Sequence, residues 1–201
     1  VELSSGAKLQ TKAVIVCSGA RWRQLGVPGE KEYQGHGVAY CPHCDGPLFK
    51  GKDVVVVGGG NSGVEAAIDL AALCRSVTLL QRGGKLTADE VLVKRLESTS
   101  NAKIVYNLDI EKLEGDGTVL TGVTYRERAT GELRTVSAAG CFVQIGLVPN
   151  TDFLKGTVEL TKWGEIGDCT AVPYKQVVIA LGGGATAALG AFDWLIRQET
   201  K

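Results

Sequence analysis

Two cysteines separated by two residues, Cys41 and Cys44, have the type and spacing that indicate redox chemistry. At this spacing their sulfurs are close enough to form a small disulfide loop. His43 lies between them, and an imidazole or a helix terminus beside a thiol favours the thiolate, which is the form that attacks disulfides. Asp45 follows directly and is able to accept or donate a proton during exchange. The segment is therefore predicted to be a catalytic dithiol.

Two other interpretations of this cysteine pair stay open. In the first interpretation the pair is half of a zinc site. Zinc needs a second close pair, however, and the other cysteines, Cys17, Cys74, Cys141 and Cys169, all stand alone. Otherwise both cysteines are simply buried in the core, which their spacing disfavours. The other histidine, His36, is predicted to be an ordinary loop residue.

A glycine-rich turn follows the dithiol along the chain. Gly58, Gly60 and Gly63 come directly after a run of valines and open a helical pattern, which is the context in which this fingerprint holds a dinucleotide. The first glycine permits the tight turn, the second lets the pyrophosphate approach the backbone, and the third lets the helix pack on the strand. Asn61 and Ser62 add polar groups where helix N-terminal amides face the anion. The alternative is a glycine turn with no ligand.

The residues after the next strand choose between NADH and NADPH. An acidic residue there binds the ribose 2′-hydroxyl, whereas an arginine accepts a 2′-phosphate. This chain has Gln81 and Arg82, so a hydroxyl partner stands beside a single cation. The choice stays open, and so does the interpretation that both are ordinary surface residues.

Composition describes the kind of protein that carries these motifs. The chain has 201 residues, of which 44% are hydrophobic, and its 22 basic residues equal its 22 acidic ones. This balance gives no basic footprint for nucleic acid, and no apolar run approaches the ~20 residues of a membrane span. Without an export signal, lone cysteines favour a reducing cytoplasm.

Hydrophobic periodicity predicts an α/β protein, with a doubly wound, Rossmann-like sheet and an antiparallel insert. A hairpin or edge strand is predicted at 1–12 and a connecting loop at 26–37. Further strands are predicted at 13–17, 53–57, 76–80, 103–106 and 140–145, helices at 61–74 and 87–97, and a β-meander at 112–137. Residues 150–166 are predicted to be mostly loop. A final helix is predicted to begin at 174–180, to be interrupted or loosened by Gly182–Gly184, and to resume over 185–197.

The motifs together resemble a known family. The run YCPHCDGPLFKGKDVVVVGGGNSGVEAAIDL, residues 40–70, resembles the pyridine-nucleotide domain of the low-molecular-weight thioredoxin reductases. The Cys-Pro-His-Cys form, FVQIGLVPNT and GDCTAVPYKQVVIA resemble one branch of it, the flavoprotein subunits of alkyl hydroperoxide reductases. The resemblance implies electron transfer from NADH or NADPH through FAD to the Cys41–Cys44 disulfide. A thioredoxin-like domain or peroxiredoxin relay is the implied partner, and a homodimer the implied assembly.

The resemblance also implies roles for individual residues. Cys44 is expected to face the flavin, Cys41 to exchange with the partner, and Asp45 to act as acid and base. Glu65 and the pair Ile145–Gly146 are expected to lie near the nicotinamide. The positions expected to contact FAD are Ser18, Gly19, Gly167, Asp168, Lys175, Gln176 and Val177.

The implied domains are a nucleotide-binding domain at 38–150, which carries the dithiol, and incomplete parts of a FAD-binding domain at 1–37 and 151–201. Hinges are expected at Tyr40 and at 146–150. Relatives carry another glycine fingerprint near the N-terminus, and a loop and strand where this chain joins Gly164-Glu165-Ile166 directly to Gly167. The chain is thus expected to be part of a longer protein or a shortened product. A truncated, non-catalytic NAD(P)-binding module is the alternative function.

Overall fold

The structure, a computed structural model, describes residues 1–162, 164 and 177–199. The chain divides into two compact units. One unit is continuous and covers Trp22–Leu147, and the other joins Val1–Arg21 to Val148–Lys201.

The secondary structure elements follow the chain in a strand-rich order. The strands are β1 (Ala20–Trp22), β2 (Val38–Ala39), β3 (Asp53–Val57), β4 (Ser76–Leu80), β5 (Ala102–Val105), β6 (Leu108–Gly115), β7 (Leu120–Glu127), β8 (Leu133–Ser137), β9 (Gly140–Val143) and β10 (Leu147–Pro149). The helices are α1 (Pro42–Asp45), α2 (Asn61–Ala71), α3 (Glu90–Glu97) and α4 (Val177–Glu199). Two 3₁₀ turns cover Gly46–Phe49 and Asp152–Leu154.

A five-stranded sheet organises the 22–147 unit, in the order β2-β9-β3-β4-β5 with every neighbouring pair parallel. The valine run of β3 lies inside it, with Val55 opposite Cys141 on one side and Thr78 on the other. Because side chains alternate along a strand, β3 contributes to two cores. Val56 packs on the α2 side, whereas Val57 packs on the other face.

An antiparallel sheet, β6-β7-β8, covers the second face of the parallel sheet. Its Leu113 and Val123 are fully buried in the same cluster as Val55 and Leu80. The predicted class, an α/β fold with a parallel nucleotide-type sheet and a meander insert, is confirmed. The bounds of β3 and β4 agree with prediction to the residue.

The 1–21 segment agrees with prediction only in part. Its first residues form the predicted hairpin, with Glu2 bridged to Lys8. The apolar run at 13–17 is not a strand, and Val14 and Ile15 are exposed. Among the described residues no strand pairs with this run, and an apolar run forms a sheet strand only where neighbours complete its hydrogen bonds.

The predicted helices are present but differ from prediction in detail. Helix α2 ends at Ala71 rather than 74. Helix α3 begins at Glu90 rather than 87, and it contributes Leu92 and Leu96 to the core, whereas Val91 is 79% exposed. Helix α4 runs straight through Gly182–Gly184, contrary to the predicted interruption. Each glycine costs about 1 kcal/mol relative to alanine, which the flanking leucines and alanines offset. The predicted start at 174–176 lies outside the described residues. Among the described helices, none has the length and apolarity needed to cross a bilayer.

Candidate functional site

Cys41 and Cys44 are joined by a disulfide, with their Cα atoms 5.3 Å apart. The four-residue helix α1 brings the sulfurs together. Pro42 occupies its first turn, where a missing N–H has no consequence. The backbone N–H of Cys44 donates to Cys41 Sγ at 3.2 Å, and that of Asp45 donates to the Cys41 carbonyl at 3.0 Å. Both sulfurs are used by the disulfide, so the redox interpretation of the pair replaces the zinc one.

The two cysteines differ in exposure. Cys44 is exposed and Cys41 is half-buried. His43 is also exposed, with Nδ1 3.7 Å from Asp69 Oδ2. Beside the disulfide lies a pocket of about 360 Å³, and Leu48 at its rim is 70% exposed. The pocket is lined by Trp22, Gln34, Gly35, Gly37, Val38, Ala39, Tyr40, Cys41, Asp45, Leu48 and Phe49.

A buried polar network lies behind the disulfide. The Tyr40 hydroxyl donates to Glu30 Oε1 at 2.9 Å, and the Tyr40 carbonyl accepts from Gln144 Nε2 at 2.8 Å. Glu30 also accepts the backbone N–H groups of Leu25 and Gly26, at 2.8 and 2.7 Å. Burial, followed by the hydrogen bond to Glu30, raises the pKa of Tyr40. Sequence patterns missed Glu30 and Gln144, because an acid in a glycine-rich loop and an amide just after an apolar strand carry no signal of such contacts.

The glycine turn has the geometry of a dinucleotide cradle. Gly58 has φ 120°, and a Cβ there would overlap the carbonyl oxygen of Gln144. A Cβ at Gly63 would overlap the carbonyl oxygen of Gly58, so these two positions require glycine for packing. Gly60 is different, since its nearest neighbour would be Thr87 Oγ1 at 3.8 Å. The backbone is therefore open to a ligand at the N-terminus of α2, which fits a bound pyrophosphate.

Polar groups around this turn are partly engaged already. Asn61 Nδ2 donates to Asp89 Oδ2 at 3.0 Å, and the Asp89 N–H donates back to Asn61 Oδ1 at 2.8 Å. This reciprocal pair ties the start of α2 to the start of α3. Ser62 and Glu65 are exposed on the first turns of α2.

The two positions predicted to select NADH or NADPH, Gln81 and Arg82, also make contacts within the chain. Gln81 lies against Gly59 and donates from Nε2 to the Lys85 carbonyl at 2.9 Å. Arg82 donates from Nε to Asp109 Oδ1 at 2.9 Å. Arg128 contacts the other oxygen of the same carboxylate at 3.0 Å. Arg82 is thus not an isolated surface cation.

Four of the predicted site segments follow strands of the parallel sheet at one edge. The dithiol follows β2, Ile145–Gly146 follows β9, the glycine turn follows β3, and Gln81 follows β4. Because all four strands run parallel, these segments share the carboxyl edge, where open α/β sheets bind ligands. Strands β2 and β3 are two positions apart, or roughly 10 Å.

The predicted FAD positions are described only in part. In the other unit, the carbonyls of Ser18 and Gly19 accept hydrogen bonds from Asn150, at 3.0 and 2.9 Å. Arg21 in turn donates to Asn150 Oδ1 at 2.7 Å. Gly167, Asp168, Lys175 and Gln176 lie outside the described residues, and Val177 begins α4.

Comparison with known families gives the class. Residues 1–167 match the family described as pyridine nucleotide-disulphide oxidoreductase, and the chain belongs to this family. Membership implies FAD and NADH or NADPH as cofactors.

Individual relatives refine this class. A Bacillus subtilis (strain 168) protein named NADH dehydrogenase is 54% identical over 98% of this chain. An alkyl hydroperoxide reductase subunit of Escherichia coli (strain K12) is 50% identical over 100% of it. The chain spans 42% of the length of each of these relatives. The second alignment extends over 216 residues against 201 here, so that relative has internal residues without a counterpart in this chain.

Solved structures of thioredoxin reductases share the fold. The enzyme from Giardia duodenalis superposes with a TM-score of 0.78 at 34% identity, and that of T. acidophilum with 0.71 at 37%. Each match covers 89% of this chain and 64% of the other. The predicted resemblance to the thioredoxin reductase and alkyl hydroperoxide reductase group is confirmed.

Proposed function

We propose that this chain carries the nucleotide site and redox dithiol of a flavin-dependent disulfide reductase. The observation that carries the proposal is the shared carboxyl edge of the parallel sheet, which holds both the Cys41–Cys44 disulfide and the turn from Gly58 to Gly63. A two-electron acceptor and a site for a two-electron donor thus belong to one structural unit. FAD, when bound, supplies the relay between the reduced nicotinamide and the disulfide.

The chain's own groups bind and orient the dinucleotide. The amides at the start of α2 hold the pyrophosphate against the open backbone at Gly60. Ile145–Gly146, after β9, and Glu65 contact the nicotinamide end. Ser18 and Gly19 hold the flavin together with the positions assigned by resemblance, Gly167, Asp168, Lys175, Gln176 and Val177.

The dithiol then passes two electrons to a partner. Uptake of two electrons and two protons converts the Cys41–Cys44 disulfide into two thiols, and Asp45 supplies or accepts a proton. The Cys41 thiolate attacks the partner's disulfide and forms a mixed disulfide, which Cys44 resolves. The partner leaves with two thiols and the disulfide is restored.

NADH is the proposed donor. The Asp109 carboxylate already bonds Arg82 and Arg128, so a 2′-phosphate would have to displace a carboxylate at the single cation that follows β4. Gln81 offers an amide that suits a hydroxyl. The name NADH dehydrogenase borne by the Bacillus subtilis relative supports the same choice.

A thioredoxin-like domain or a peroxiredoxin relay is the proposed partner. The names of the relatives, an alkyl hydroperoxide reductase subunit and thioredoxin reductases, support it. So does the exposed apolar side chain of Leu48, at the rim of the pocket that Cys41 also lines. Assembly as a homodimer in the cytoplasm completes the proposal by resemblance.

A second candidate is an NAD(P)-binding module without catalysis. The observation that favours it is the open backbone at Gly60, which can accept a pyrophosphate without any contribution from a flavin. Flavin absorbance of the purified chain separates the two candidates. A yellow protein with a flavin spectrum supports the reductase, whereas a colourless protein that binds NADH supports the module.

Cysteine variants test the electron path. Cys41→Ser and Cys44→Ser are expected to abolish NADH-driven reduction of a small aromatic disulfide, because neither retains the exchangeable pair. Both should still oxidise NADH with ferricyanide, and Cys17→Ser, which removes an exposed lone thiol, should retain both activities. Equal loss of the two activities in the Cys41 and Cys44 variants would contradict the path.

A further inference from the structure

Glu30 is a buried carboxylate in a loop of the 22–147 unit. Its exposure is 2%, and no ion pair of the described residues includes it. Two backbone N–H groups, from Leu25 and Gly26, and the hydroxyl of Tyr40 all donate to it. Burying a carboxylate without such donors is strongly unfavourable. The three hydrogen bonds make the burial of the Glu30 carboxylate possible, and the carboxylate in turn fixes the positions of the three donors.

Tyr40 is fixed at both ends by this arrangement. Its hydroxyl is bound to Glu30, its carbonyl is bound to Gln144, and its ring stacks on Trp22 with centroids 6.3 Å apart. The next residue along the chain is Cys41, whose sulfur caps α1. The backbone position of Cys41 is thus set by buried contacts, although its disulfide partner is exposed.

We propose that Glu30 is a positioning residue for the dithiol and acts through Tyr40. When the disulfide is reduced, no covalent bond holds the two sulfurs together, and Cys41 is kept beside α1 by its hydrogen bonds from Cys44 and Asp45 together with the network that fixes Tyr40. Disulfide closure depends on the effective concentration of one thiol at the other, which such a restraint raises. The network therefore shifts the dithiol–disulfide equilibrium toward the disulfide. The proposal builds on the redox role assigned to the pair above.

The same coupling works in reverse. If the hydrogen-bonded network favours the disulfide by some factor, closing the disulfide must favour formation of the network by the same factor. The amides of Leu25 and Gly26 report on it, because both donate to Glu30. Reduction of the disulfide should therefore loosen these two amides, in the segment by which the chain enters the unit.

The test measures the dithiol–disulfide equilibrium of the full chain in glutathione buffers, by mass spectrometry after alkylation. Two glutathione thiolates are oxidised to one glutathione disulfide for each protein disulfide reduced. Tyr40→Phe removes one hydroxyl, and Glu30→Gln keeps the size of the side chain but adds a donor facing the two amides. Each is expected to lower the equilibrium constant for disulfide formation about 3- to 10-fold, where tenfold corresponds to about 30 mV.

Tyr33→Phe is the matched control. Tyr33 is buried in the same cluster, and Glu32 rather than Glu30 is the carboxylate that raises the pKa of its phenol, so the Tyr33→Phe equilibrium should equal that of the unchanged chain. A folded Tyr40→Phe variant that behaves like Tyr33→Phe would overturn the proposal. So would hydrogen exchange at Leu25 and Gly26 that is the same in the oxidised and reduced unchanged chain. Neither measurement uses NADH, so failure of NADH-driven reduction leaves both results interpretable.

Discussion

The two units of this chain use apolar residues in opposite ways. In the described part of the chain, every buried apolar residue except Leu154 lies in the 22–147 unit. The unit of 1–21 and 148–201 instead exposes many large apolar side chains. They include Val14, Ile15, Phe153, Leu181, Leu189, Phe192, Trp194 and Ile196.

The contrast shows what an apolar pattern needs before it becomes a core. The valines of β3 lie between two parallel neighbours and between two layers, so both their backbone and side-chain groups are satisfied. The run at 13–17 has a similar composition but no pairing strand among the described residues. Composition therefore predicts the tendency to be buried, and the arrangement of neighbours decides whether burial occurs.

The largest expected effect comes from a matched pair of phenylalanines. Phe142 is 0% exposed and packs edge-on against Phe49 with centroids 5.3 Å apart, whereas Phe192 on α4 is 63% exposed. Phe142→Ala should lower the free energy of unfolding of the 22–147 unit by about 3–5 kcal/mol, because it leaves a cavity. Phe192→Ala should change it by less than about 0.5 kcal/mol.

Hydrogen exchange resolved along the sheet measures both effects, since a two-unit chain need not unfold in one step. The strand β3 amides report on the unit that contains Phe142. A loss above about 1 kcal/mol for Phe192→Ala would mean that α4 is covered in solution, and would remove the contrast between the units.

A pair of glycines gives the next largest effect. Gly63→Ala places a Cβ against the carbonyl oxygen of Gly58 and should destabilise the 22–147 unit by about 1–3 kcal/mol, with weakened NADH binding. Gly183→Ala meets nothing within 4 Å inside helix α4 and should stabilise that helix by about 0.5–1 kcal/mol.

Calorimetric titration with NADH and hydrogen exchange test the two glycines together. Equal effects of the two substitutions would show that the turn at Gly58–Gly63 is no more tightly packed than the glycine run of α4. Full NADH affinity in a folded Gly63→Ala variant would contradict the proposed cradle.

Prediction from sequence succeeded where a local pattern and its surroundings agree. Strands β3 and β4 and the disulfide of Cys41 and Cys44 were recoverable because valine runs, glycine turns and cysteine spacing each carry a local signal. The predicted strand at 13–17 is wrong because strand pairing depends on residues far away in the sequence. The predicted interruption of α4 is wrong because glycine weakens a helix without ending it when the flanking residues favour a helix.

The sequence predicted the backbone segments of the candidate site better than the side chains that hold these segments in place. The glycines and cysteines follow from spacing, but Glu30 and Gln144 reach the dithiol through contacts across 10 and 104 residues of sequence. The state of Arg82 was likewise unpredictable, because Asp109 lies 27 residues further along the chain. Such partners appear only once the fold brings them together.

The smallest expected change in stability comes from a comparison of two ion pairs, one in each unit. Asp53 at the start of β3 accepts from Arg75 Nε at 2.8 Å and Ser76 Oγ at 2.7 Å, and the arginine followed by the serine lowers the pKa of Asp53 to about 2. A pKa below the ordinary 3.8 means that the pair stabilises the fold above about pH 4 and loses this contribution as the pH falls toward 2. Because the arginine is exposed, solvent screens the pair.

Asp53→Asn should therefore lower the free energy of unfolding by only about 0.5–1 kcal/mol at pH 7, and the difference from the unchanged chain should shrink as the pH approaches 2. Asp193, paired with Arg197 one turn along α4, is the exposed counterpart, and Asp193→Asn should have an effect of about 0.3–0.5 kcal/mol or less on that helix. Urea unfolding followed between pH 7 and pH 2.5 measures the first, and helix circular dichroism the second. If the difference in the free energy of unfolding between Asp53→Asn and the unchanged chain stayed constant down to pH 2.5, Arg75 would not be stabilising the charged form of Asp53. The advantage of the 22–147 unit would then come from packing alone.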